Sequence, residues 1–391
     1  MQIILLGLDL HTIISNFKMK FSKKYLQNRE SAFKKIKARF NNELEFESSN
    51  ALLVAGDSLE LLKNIPDHSI SLILTDPPYH TTKKKNIKND TAFESDDEFL
   101  LWMENFTREW YRILKPNGSI YVYCSSAMAA RIEVLMMKQF NILSHIVWTK
   151  PNDPGFDGWK QKMKKESLRQ WYDHSERIIF AEPAYNGNLN KSSFGHFLKS
   201  VRLQSNMSGH QLTGMIGAYG KVNHGGSVHN WEAGRNIPNR EQYSKICEAI
   251  LSAGKVKEMP DYEDVIRPFD VNSNVEFTDV WNFFSVRPYD GKHPAEKPID
   301  MLEHSIISAT YEGDVVLDCF AGSGSTAIAA LNTGRKTISI ELDDKWVKSI
   351  KTRLENYTVE HTAVPLKRRH DIMKLTKTQQ TSFANTLFGE S

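Results

Sequence analysis

The sequence has few cysteines, little net charge and no long apolar run. Its three cysteines show no CxxC spacing, which disfavours a disulfide framework or structural zinc site and favours a reducing cytoplasm. The 50 Lys and Arg residues and 47 Asp and Glu residues leave a formal charge of +3, unlike that of a generally basic nucleic-acid binder. The apolar start (MQIILLGLDLHTII) is short, contains Asp9 and has no cleavage-site pattern, so we predict neither a signal peptide nor a membrane span.

Positive charge is concentrated in one part of the chain. Residues 191–240 contain one acid and six basic residues, giving that segment a charge of +5 and the rest of the chain −2. The six are Lys191, Lys199, Arg202, Lys221, Arg235 and Arg240. A local basic patch on a nearly neutral body suggests a polyanionic partner.

Strand and helix patterns alternate in two stretches of the chain, separated by a helical stretch. A Lys-rich helix is predicted at 17–39, then strands at 51–56, 71–75, 119–124 and 142–149 with helices between them. A polar, Lys-rich loop separates the last of these from a further strand at 177–181. A turn is predicted at Lys115-Pro116-Asn117-Gly118. Residues 184–262 show only helices broken by Gly and Asn, and the alternation resumes from 298 to 356. We therefore predict an α/β fold with one doubly wound, Rossmann-like sheet and an inserted helical domain.

A glycine-rich turn follows the predicted strand at 314–320 and opens a helix. It reads Asp318-Cys319-Phe320-Ala321-Gly322-Ser323-Gly324-Ser325-Thr326. Glycines allow a tight turn and let a ligand approach the N–H groups at a helix N-terminus. Glu341 ends the next strand, where a carboxylate can accept both hydroxyls of a ribose. The pattern differs from GxGxxG and has no P-loop lysine, so phosphate binding is disfavoured; by itself the turn could be purely structural.

The tetrad Asp76-Pro77-Pro78-Tyr79 stands at the carboxyl end of a predicted strand, the edge where open α/β sheets bind ligands. Its two prolines fix φ and remove N–H donors, which leaves acceptors on a rigid backbone. An aromatic amine is a poor nucleophile because its lone pair is delocalised into the ring. The Asp76 carboxylate and the Pro77 carbonyl can accept its two hydrogens and localise that lone pair. Tyr79 can stack on a base swung out of a duplex. The alternative interpretation is a rigid proline turn.

Three motifs together resemble the permuted β-group of S-adenosylmethionine-dependent amino-methyltransferases that act on DNA. They are GDSLELLKNIPDHSISLILTDPPY (56–79), KHPAEKP (292–298, where Ala-Glu replaces the usual Thr-Gln) and VVLDCFAGSGSTAIAALNTGRKTISIEL (315–342). The resemblance implies that the tetrad Asp76, Pro77, Pro78 and Tyr79 holds the target amine. It also implies an S-adenosylmethionine site formed by Asp57, Lys297, Asp318, Phe320, Gly322, Gly324, Thr326 and Glu341.

The resemblance also implies an organisation and a substrate. Together with the strand and helix pattern, it divides the chain into an N-terminal extension (1–48), a catalytic half (49–183), a target-recognition insertion (184–262), a cofactor-binding half (263–358) and a C-terminal tail (359–391). Duplex DNA is the expected partner, and a homodimer and a cognate restriction endonuclease are left open. Family members with Asp at the first tetrad position mostly methylate adenine N6, so we expect that base, with cytosine N4 as the alternative. C5 methylation is disfavoured because no cysteine has a neighbouring proline.

The insertion resembles a repressor-type helix-turn-helix. Its segments FLKSVRLQSNMSGHQLTGMIG (197–217) and SVHNWEAGRNIPNREQYSKICEAI (227–250) include the W-E-x-G-x-x-x-P pattern with which such domains often close. This arrangement implies that Val228 and Trp231 pack inward while major-groove bases are read by His224, Ser227, His229 and Asn230. The histidines lack a Cys or carboxylate partner at ligand spacing, so no metal is predicted. The alternative is a helical insertion that merely packs on the sheet.

Four lysines follow the tetrad: Lys83, Lys84, Lys85 and Lys88. A charge run is usually a solvated loop, but beside a base-flipping pocket it is well placed to hold the phosphates that flank an extruded nucleotide. Two other function classes stay open on the sequence. One is a helix-turn-helix regulator on an inactive methyltransferase scaffold, and the other is an RNA methyltransferase, which would need no major-groove reader.

Overall fold

The computed structural model describes residues 23–40, 43–80, 93–150, 174–184, 192–218, 226–270 and 278–357, together with 166, 169 and 171. The predictions for the apolar start of the chain, the C-terminal tail, His224 and the four lysines after the tetrad lie outside these residues. Within them, no helix combines the length and the apolar character needed to cross a membrane.

The described residues form nine strands and twelve helices. The strands are β1 (Leu44–Glu47), β2 (Ala51–Ala55), β3 (Ile70–Thr75), β4 (Leu114–Cys124), β5 (Phe140–Thr149), β6 (Ser175–Pro183), β7 (Val280–Asn282), β8 (Val315–Asp318) and β9 (Lys336–Glu341). The helices of the α/β body are α1 (Lys23–Lys37), α2 (Ser58–Leu62), α3 (Asp96–Ile113), α4 (Ala129–Met136), α10 (Ile299–Ala309), α11 (Ser325–Asn332) and α12 (Asp344–Glu355). Those of the insertion are α5 (Ser193–Gln204), α6 (Gly209–Met215), α7 (Gly226–Glu232), α8 (Arg240–Ser252) and α9 (Tyr262–Val265).

All nine strands belong to one sheet, in the order β1-β2-β9-β8-β3-β4-β6-β5-β7. The five central strands from β2 to β4 are parallel, while β1 and β6 run against their neighbours. Strand β3 pairs with β8 in the register Leu72↔Val316 and Ile73↔Leu317. Two segments about 240 residues apart in sequence are therefore adjacent in the sheet, and their carboxyl ends meet at one edge.

Alternating residues of the central strands face two helical layers, as a strand period of two requires. Ile73 belongs to a core cluster with residues of α1 to α4, while Leu72 and Leu74 belong to another with residues of α10 and α11. Both layers are apolar and the strands between them are almost fully buried. The predicted doubly wound α/β sheet is thus confirmed.

The predicted turn at Lys115-Pro116-Asn117-Gly118 is instead part of strand β4. The pairing of β3 with β4 jumps from Ile70↔Leu114 to Leu72↔Ser119, so the turn-forming residues bulge out of the ladder without ending the strand. The buried Asn117 amide donates to the carbonyl oxygens of Glu263 (3.0 Å) and Ile266 (3.3 Å). The bulge therefore fixes the end of the insertion to the sheet. Sequence patterns also missed β1 and β7, which have only four and three residues.

The insertion has a core of its own. Phe194, Leu198, Leu212, Val228 and Ile246 are among its buried residues. Helices α5 and α7 cross so closely that a Cβ on Gly195 would lie 2.6 Å from the Trp231 carbonyl oxygen. The helical character predicted for this stretch is confirmed.

Candidate active site

The tetrad and the glycine-rich turn lie side by side because they follow the adjacent parallel strands β3 and β8. The last residue of β3 links them directly: the Thr75 hydroxyl donates to Asp318 Oδ1 at 3.3 Å. The same carboxylate oxygen accepts the Phe320 N–H at 3.1 Å. Burial raises the pKa of Asp318 to about 6. The structure thus joins the two motifs through one buried carboxylate.

Two side chains of the tetrad belong to a polar cluster of five. The Lys297 ammonium donates to Asp76 Oδ2 and lies 3.3 Å from the Tyr79 hydroxyl oxygen. It also lies 3.4 Å from Glu176 Oε2, which accepts the Tyr79 hydroxyl at 2.9 Å. Lys150 donates to the other oxygen of Glu176. Two carboxylates and one buried ammonium therefore converge where the tetrad begins.

The ionisation of this cluster is set by burial and by its own charges. Burial raises the pKa of Asp76, and the neighbouring Glu176 charge raises it further against the opposing effect of Lys297. Burial also acts to raise the pKa of Glu176, but the charges of Lys297 and Lys150 outweigh it and lower that pKa to about 2. Burial works against the Lys297 cation, yet the two carboxylates raise its pKa. Asp76 is consequently the first of the two carboxylates to take up a proton as the pH falls.

The two carboxylate oxygens of Asp76 differ in their hydrogen bonding. Asp76 Oδ1 is buried and has no hydrogen-bond partner among the described residues. A buried acceptor without a donor costs free energy, so this atom favours any ligand that brings an N–H group to it. After the tetrad the chain turns at His80, whose φ is 57° and whose ring stacks on Phe99 at 5.3 Å. That stacking holds the end of the tetrad against helix α3.

The glycine-rich turn needs glycine at both of its central positions. Gly322 and Gly324 have φ values of 52° and 77°, in the left-handed region that side chains disfavour. A Cβ on Gly322 would lie 2.9 Å from the His293 ring, and one on Gly324 would lie 3.1 Å from Ile350. Burial, with the charges of Lys297 and Lys292, lowers the pKa of His293 to about 4, so its ring is neutral at pH 7. The KHPAEKP segment therefore covers the turn with an uncharged ring.

Glu341 and Asp57 complete this edge of the sheet. Glu341 Oε2 accepts the Gly322 N–H at 2.7 Å, and burial raises the pKa of its carboxyl group. The Gly56 N–H donates to the Glu341 carbonyl oxygen at 2.9 Å, which brings Asp57 beside the same strand end. Asp57 caps helix α2 by accepting the N–H groups of Leu59 and Glu60. Both carboxylates thus have a structural partner and further lone pairs available.

The remaining predicted cofactor residues lie around the turn, with one exception. Phe320 is half-buried and packs on Trp102 and Phe106, with ring centroids 5.8 and 5.1 Å away. Thr326 is buried in the first turn of α11. Lys297 is the exception, because its ammonium contacts Asp76, Tyr79 and Glu176, besides the Ala295 carbonyl oxygen in its own segment. Its position joins the tetrad to the KHPAEKP segment.

Comparison with known proteins identifies the family. A model described as a DNA methylase (N6_N4_Mtase) matches residues 70–352, most of the chain. The chain belongs to this DNA methylase family. The family covers both N6 and N4 methylation, and its membership confirms the predicted methyl donor, S-adenosylmethionine.

Individual relatives of this methylase are distant. It is 27% identical over 341 residues to the DNA adenine methyltransferase YhdJ of Escherichia coli, covering 85% of this chain and 90% of the relative. It is 25% identical to the type II methyltransferase M2.LlaDCHI of Lactococcus lactis subsp. cremoris, over 79% of this chain and 91% of the relative. One similar solved structure is PvuII DNA methyltransferase (cytosine-N4-specific), at 20% identity, 90% coverage of this chain, 98% of that chain and a TM-score of 0.49.

Sequence reasoning missed Glu176 and His293 in the methylase. Glu176 stands at the start of β6, which runs antiparallel to β4, so its amino end lies at the edge where the parallel strands end. The one available signal was a charged residue entering the apolar strand SERIIFAEP. His293 was visible within KHPAEKP, but its packing on Gly322 depends on a contact across 29 residues that spacing does not reveal.

For the predicted helix-turn-helix, the methylase structure agrees with the expected packing of two residues and leaves the DNA-reading role untested. Val228 and Trp231 are buried, as predicted, while His229 is exposed and Ser227 and Asn230 are half-buried. Helix α6 begins with a capping box between Ser208 and Gln211. The role of Ser227, His229 and Asn230 in reading bases stays a prediction.

The basic segment of the methylase carries less accessible charge than its composition suggests. Arg202 is buried and donates to both carboxylate oxygens of Glu232, at 2.5 and 3.0 Å. Arg240 is paired with Glu263. These two arginines therefore act within the insertion, because an ion-paired side chain is already engaged and its charge is largely compensated.

Proposed function

We propose that this methylase transfers a methyl group from S-adenosylmethionine to the N6 amine of adenine at specific sites in duplex DNA, with the target base rotated out of the helix. The observation that carries the proposal is the buried Oδ1 of Asp76, which has no partner in the part of the chain that the structure describes and lies next to Tyr79 and beside the glycine-rich turn. An acceptor in that place can take a hydrogen of the exocyclic amine and make its lone pair more available. Tyr79, whose hydroxyl is held by Glu176, presents a ring on which a base can stack.

The residues at the strand ends fit S-adenosylmethionine. Gly322 and Gly324 add no side chain of their own to the turn, and Glu341 has lone pairs with which to accept ribose hydroxyls. We propose that Asp57, Asp318, Phe320 and Thr326 surround the same molecule, as the resemblance implies. When bound, S-adenosylmethionine supplies an electron-poor methyl group. Lys297 lies against Asp76, so we propose that it acts on the tetrad side of this site and not as a direct cofactor ligand.

The choice of adenine rests on Asp76 and on family association. Members with Asp at the first tetrad position mostly act on adenine, and the E. coli relative is named a DNA adenine methyltransferase. The test is expression in a methylation-free host, digestion of its DNA to nucleosides and identification of the product by mass. N6-methyladenine is the expected product. N4-methylcytosine would overturn the base assignment, and no modified base would overturn the proposed function.

Asp76→Ala separates an enzyme from a regulator on an inactive scaffold. An enzyme loses turnover and keeps its affinity for DNA and S-adenosylmethionine, because the change removes an acceptor and no cofactor contact. The matched control is Asp67→Ala, at an exposed aspartate paired with Arg112 on the surface. If Asp76→Ala retained the turnover of Asp67→Ala, Asp76 would not be the amine acceptor.

We propose that the insertion recognises the target site and that the lysines after the tetrad hold the DNA backbone. Replacing these lysines by Ala should weaken DNA binding and reduce its salt dependence, because each lost phosphate contact lowers the slope of log K against log salt by about 0.9. The affinity is measured by fluorescence anisotropy at several salt concentrations. An unchanged slope would refute this role for Lys83, Lys84, Lys85 and Lys88.

A further inference from the structure

Asp76, the proposed acceptor of the target amine, already accepts a hydrogen bond from a lysine. Asp76 Oδ2 accepts from the Lys297 ammonium, while Oδ1 has no partner among the described residues. A carboxylate is a strong acceptor because of its charge, and an ammonium hydrogen-bonded to one of its oxygens compensates much of that charge. An incoming amine therefore binds Asp76 best when Lys297 has moved away from it.

Lys297 cannot move into an uncharged environment. Its side chain is 8% exposed, and a buried cation without a counter-ion is strongly destabilising. Glu176 meets this requirement, because its Oε2 already lies 3.4 Å from the Lys297 nitrogen. A small rotation about the lysine side chain exchanges one carboxylate for the other and keeps an ion pair throughout.

Glu176 also controls the orientation of Tyr79. The Tyr79 hydroxyl donates to Glu176 Oε2 at 2.9 Å, and the Lys297 nitrogen lies 5.4 Å from the centre of the Tyr79 ring. The other oxygen of Glu176 accepts from Lys150. One side chain thus contacts both the ring proposed to stack on the base and the cation that competes with the amine.

We propose, on the basis of the proposed function, that Glu176 is a positioning residue: it receives the Lys297 ammonium from Asp76 as the target amine enters, and it fixes the Tyr79 ring by its hydroxyl. The amine then meets a carboxylate with both oxygens available. When the product leaves, Lys297 returns to Asp76 and neutralises it.

The proposal predicts a pH signature. The active form needs an ionised Asp76, so the acid limb of kcat reports the pKa of that group. The charged or titratable groups that face Asp76 and Glu176 from the packed elements are Lys297, Tyr79, Tyr123, Cys124, Lys150 and Asp318. Burial and the Glu176 charge both raise the pKa of Asp76. Removing the Glu176 charge should therefore lower that pKa and move the acid limb to lower pH.

The test is Glu176→Gln in the full chain, with a duplex that the wild-type protein has been shown to methylate. We expect kcat to fall about ten- to one-hundredfold, the size associated with a charge-assisted hydrogen bond. The acid limb of kcat should move to lower pH. The affinity for the duplex, measured by anisotropy with S-adenosylhomocysteine present, should change less than about threefold, since most DNA affinity comes from phosphate contacts. Glu104→Gln is the matched control, because Glu104 is a lysine-paired glutamate outside the site.

Each outcome decides the proposal. A lower kcat with an unmoved acid limb would make Glu176 merely structural and overturn it, as would an unchanged kcat. Glu176→Asp keeps the charge on a shorter side chain, so it should have an intermediate kcat and the wild-type acid limb. If Glu176→Gln does not fold, a wild-type kcat in Glu176→Asp would overturn the proposal. Failure of the proposed function is distinguishable, since the wild-type protein would then methylate no DNA at all.

Discussion

Gly322→Ala tests whether the glycine-rich turn is packed as tightly as the structure indicates. The substitution adds a Cβ at a φ of 52° and places it 2.9 Å from the His293 ring. Gly254→Ala is the matched control, because Gly254 has a φ of 70° and nothing within 4 Å of an added Cβ. Both variants carry the backbone penalty, and only Gly322→Ala carries the clash.

The expected losses of stability follow from the backbone penalty and the clash. A left-handed φ costs an L-residue roughly 1–2 kcal/mol, which is the whole expected loss for Gly254→Ala. Overpacking adds about 1–3 kcal/mol for Gly322→Ala, because the His293 ring is itself held against Trp346 at 4.5 Å. Stability is measured by urea unfolding, and S-adenosylmethionine affinity by calorimetry.

The double variant Gly322→Ala/His293→Ala isolates the contact. Removing the ring should recover most of the clash, so the two substitutions should be non-additive by about 1–3 kcal/mol. The affinity for S-adenosylmethionine should fall at least tenfold in Gly322→Ala and stay unchanged in Gly254→Ala. Equal stability losses in the two single variants, with additive behaviour in the double variant, would refute the packing argument.

Three further predictions concern a buried carboxylate, a buried ion pair and the proposed reader. The folded-state pKa of Asp318 is about 6 against an ordinary 3.8, so its ionisation costs stability progressively as the pH rises through that window; Asp318→Asn should stabilise the fold by up to roughly 3 kcal/mol at pH 7 and little at pH 4, and an equal effect on urea unfolding at both would contradict this. Arg202→Met leaves the half-buried Glu232 without its partner and should cost about 1–3 kcal/mol, seen as faster proteolysis of the insertion; wild-type proteolysis would show that the pair contributes nothing. His229→Ala combined with Asn230→Ala should reduce discrimination between a cognate and a single-mismatch duplex by about 1–3 kcal/mol per base read, measured by competition binding, and undiminished discrimination would remove both residues from the reader.

Proximity of the two motifs could be predicted from the sequence because it follows from a simple rule. Asp76 and Asp318 each end a buried strand, and parallel strands end at one edge of a sheet. The rule does not give the strand order, so the direct pairing of β3 with β8 and the Thr75–Asp318 hydrogen bond required the structure.

The rule that parallel strands end at one edge does not predict where the side chains of Glu176 and Lys297 lie. The motif predicts a cofactor role for Lys297, which stays a prediction. The contacts of its ammonium required the structure, because the direction of a long side chain depends on where counter-ions lie, and Asp76 and Glu176 are 221 and 121 residues away in sequence. Glu176 begins an antiparallel strand, so its position at the active edge follows from the direction of β6, which local patterns do not encode. The prediction of a turn at Lys115–Gly118 was wrong for a related reason. Local preference favours a turn there, but the tertiary contacts of Asn117 hold the segment as a bulge within β4.

The attachment of the insertion bears on how a target base could be selected. The chain enters the insertion from the carboxyl end of β6 and returns to β7, which pairs with β5. Pro183 at that end of β6 pairs with Phe140, whereas Glu176 pairs with Trp148, so the entry lies at the edge of the sheet opposite Glu176. Three polar contacts then fix its final helix α9 and the residues beside it: Asn117 to the Glu263 carbonyl oxygen, Arg29 to Asp264 at 2.6 Å, and Arg267 back to Glu182 at 2.6 Å. Most of these groups are buried or half-buried, where breaking a charged contact is costly. Under the proposed function, an insertion held in this way keeps its reading residues at a constant distance from Asp76. That distance sets how far the flipped base lies from the base pairs being read. Site selection then depends on the contacts that attach the insertion to the sheet as much as on the reading residues.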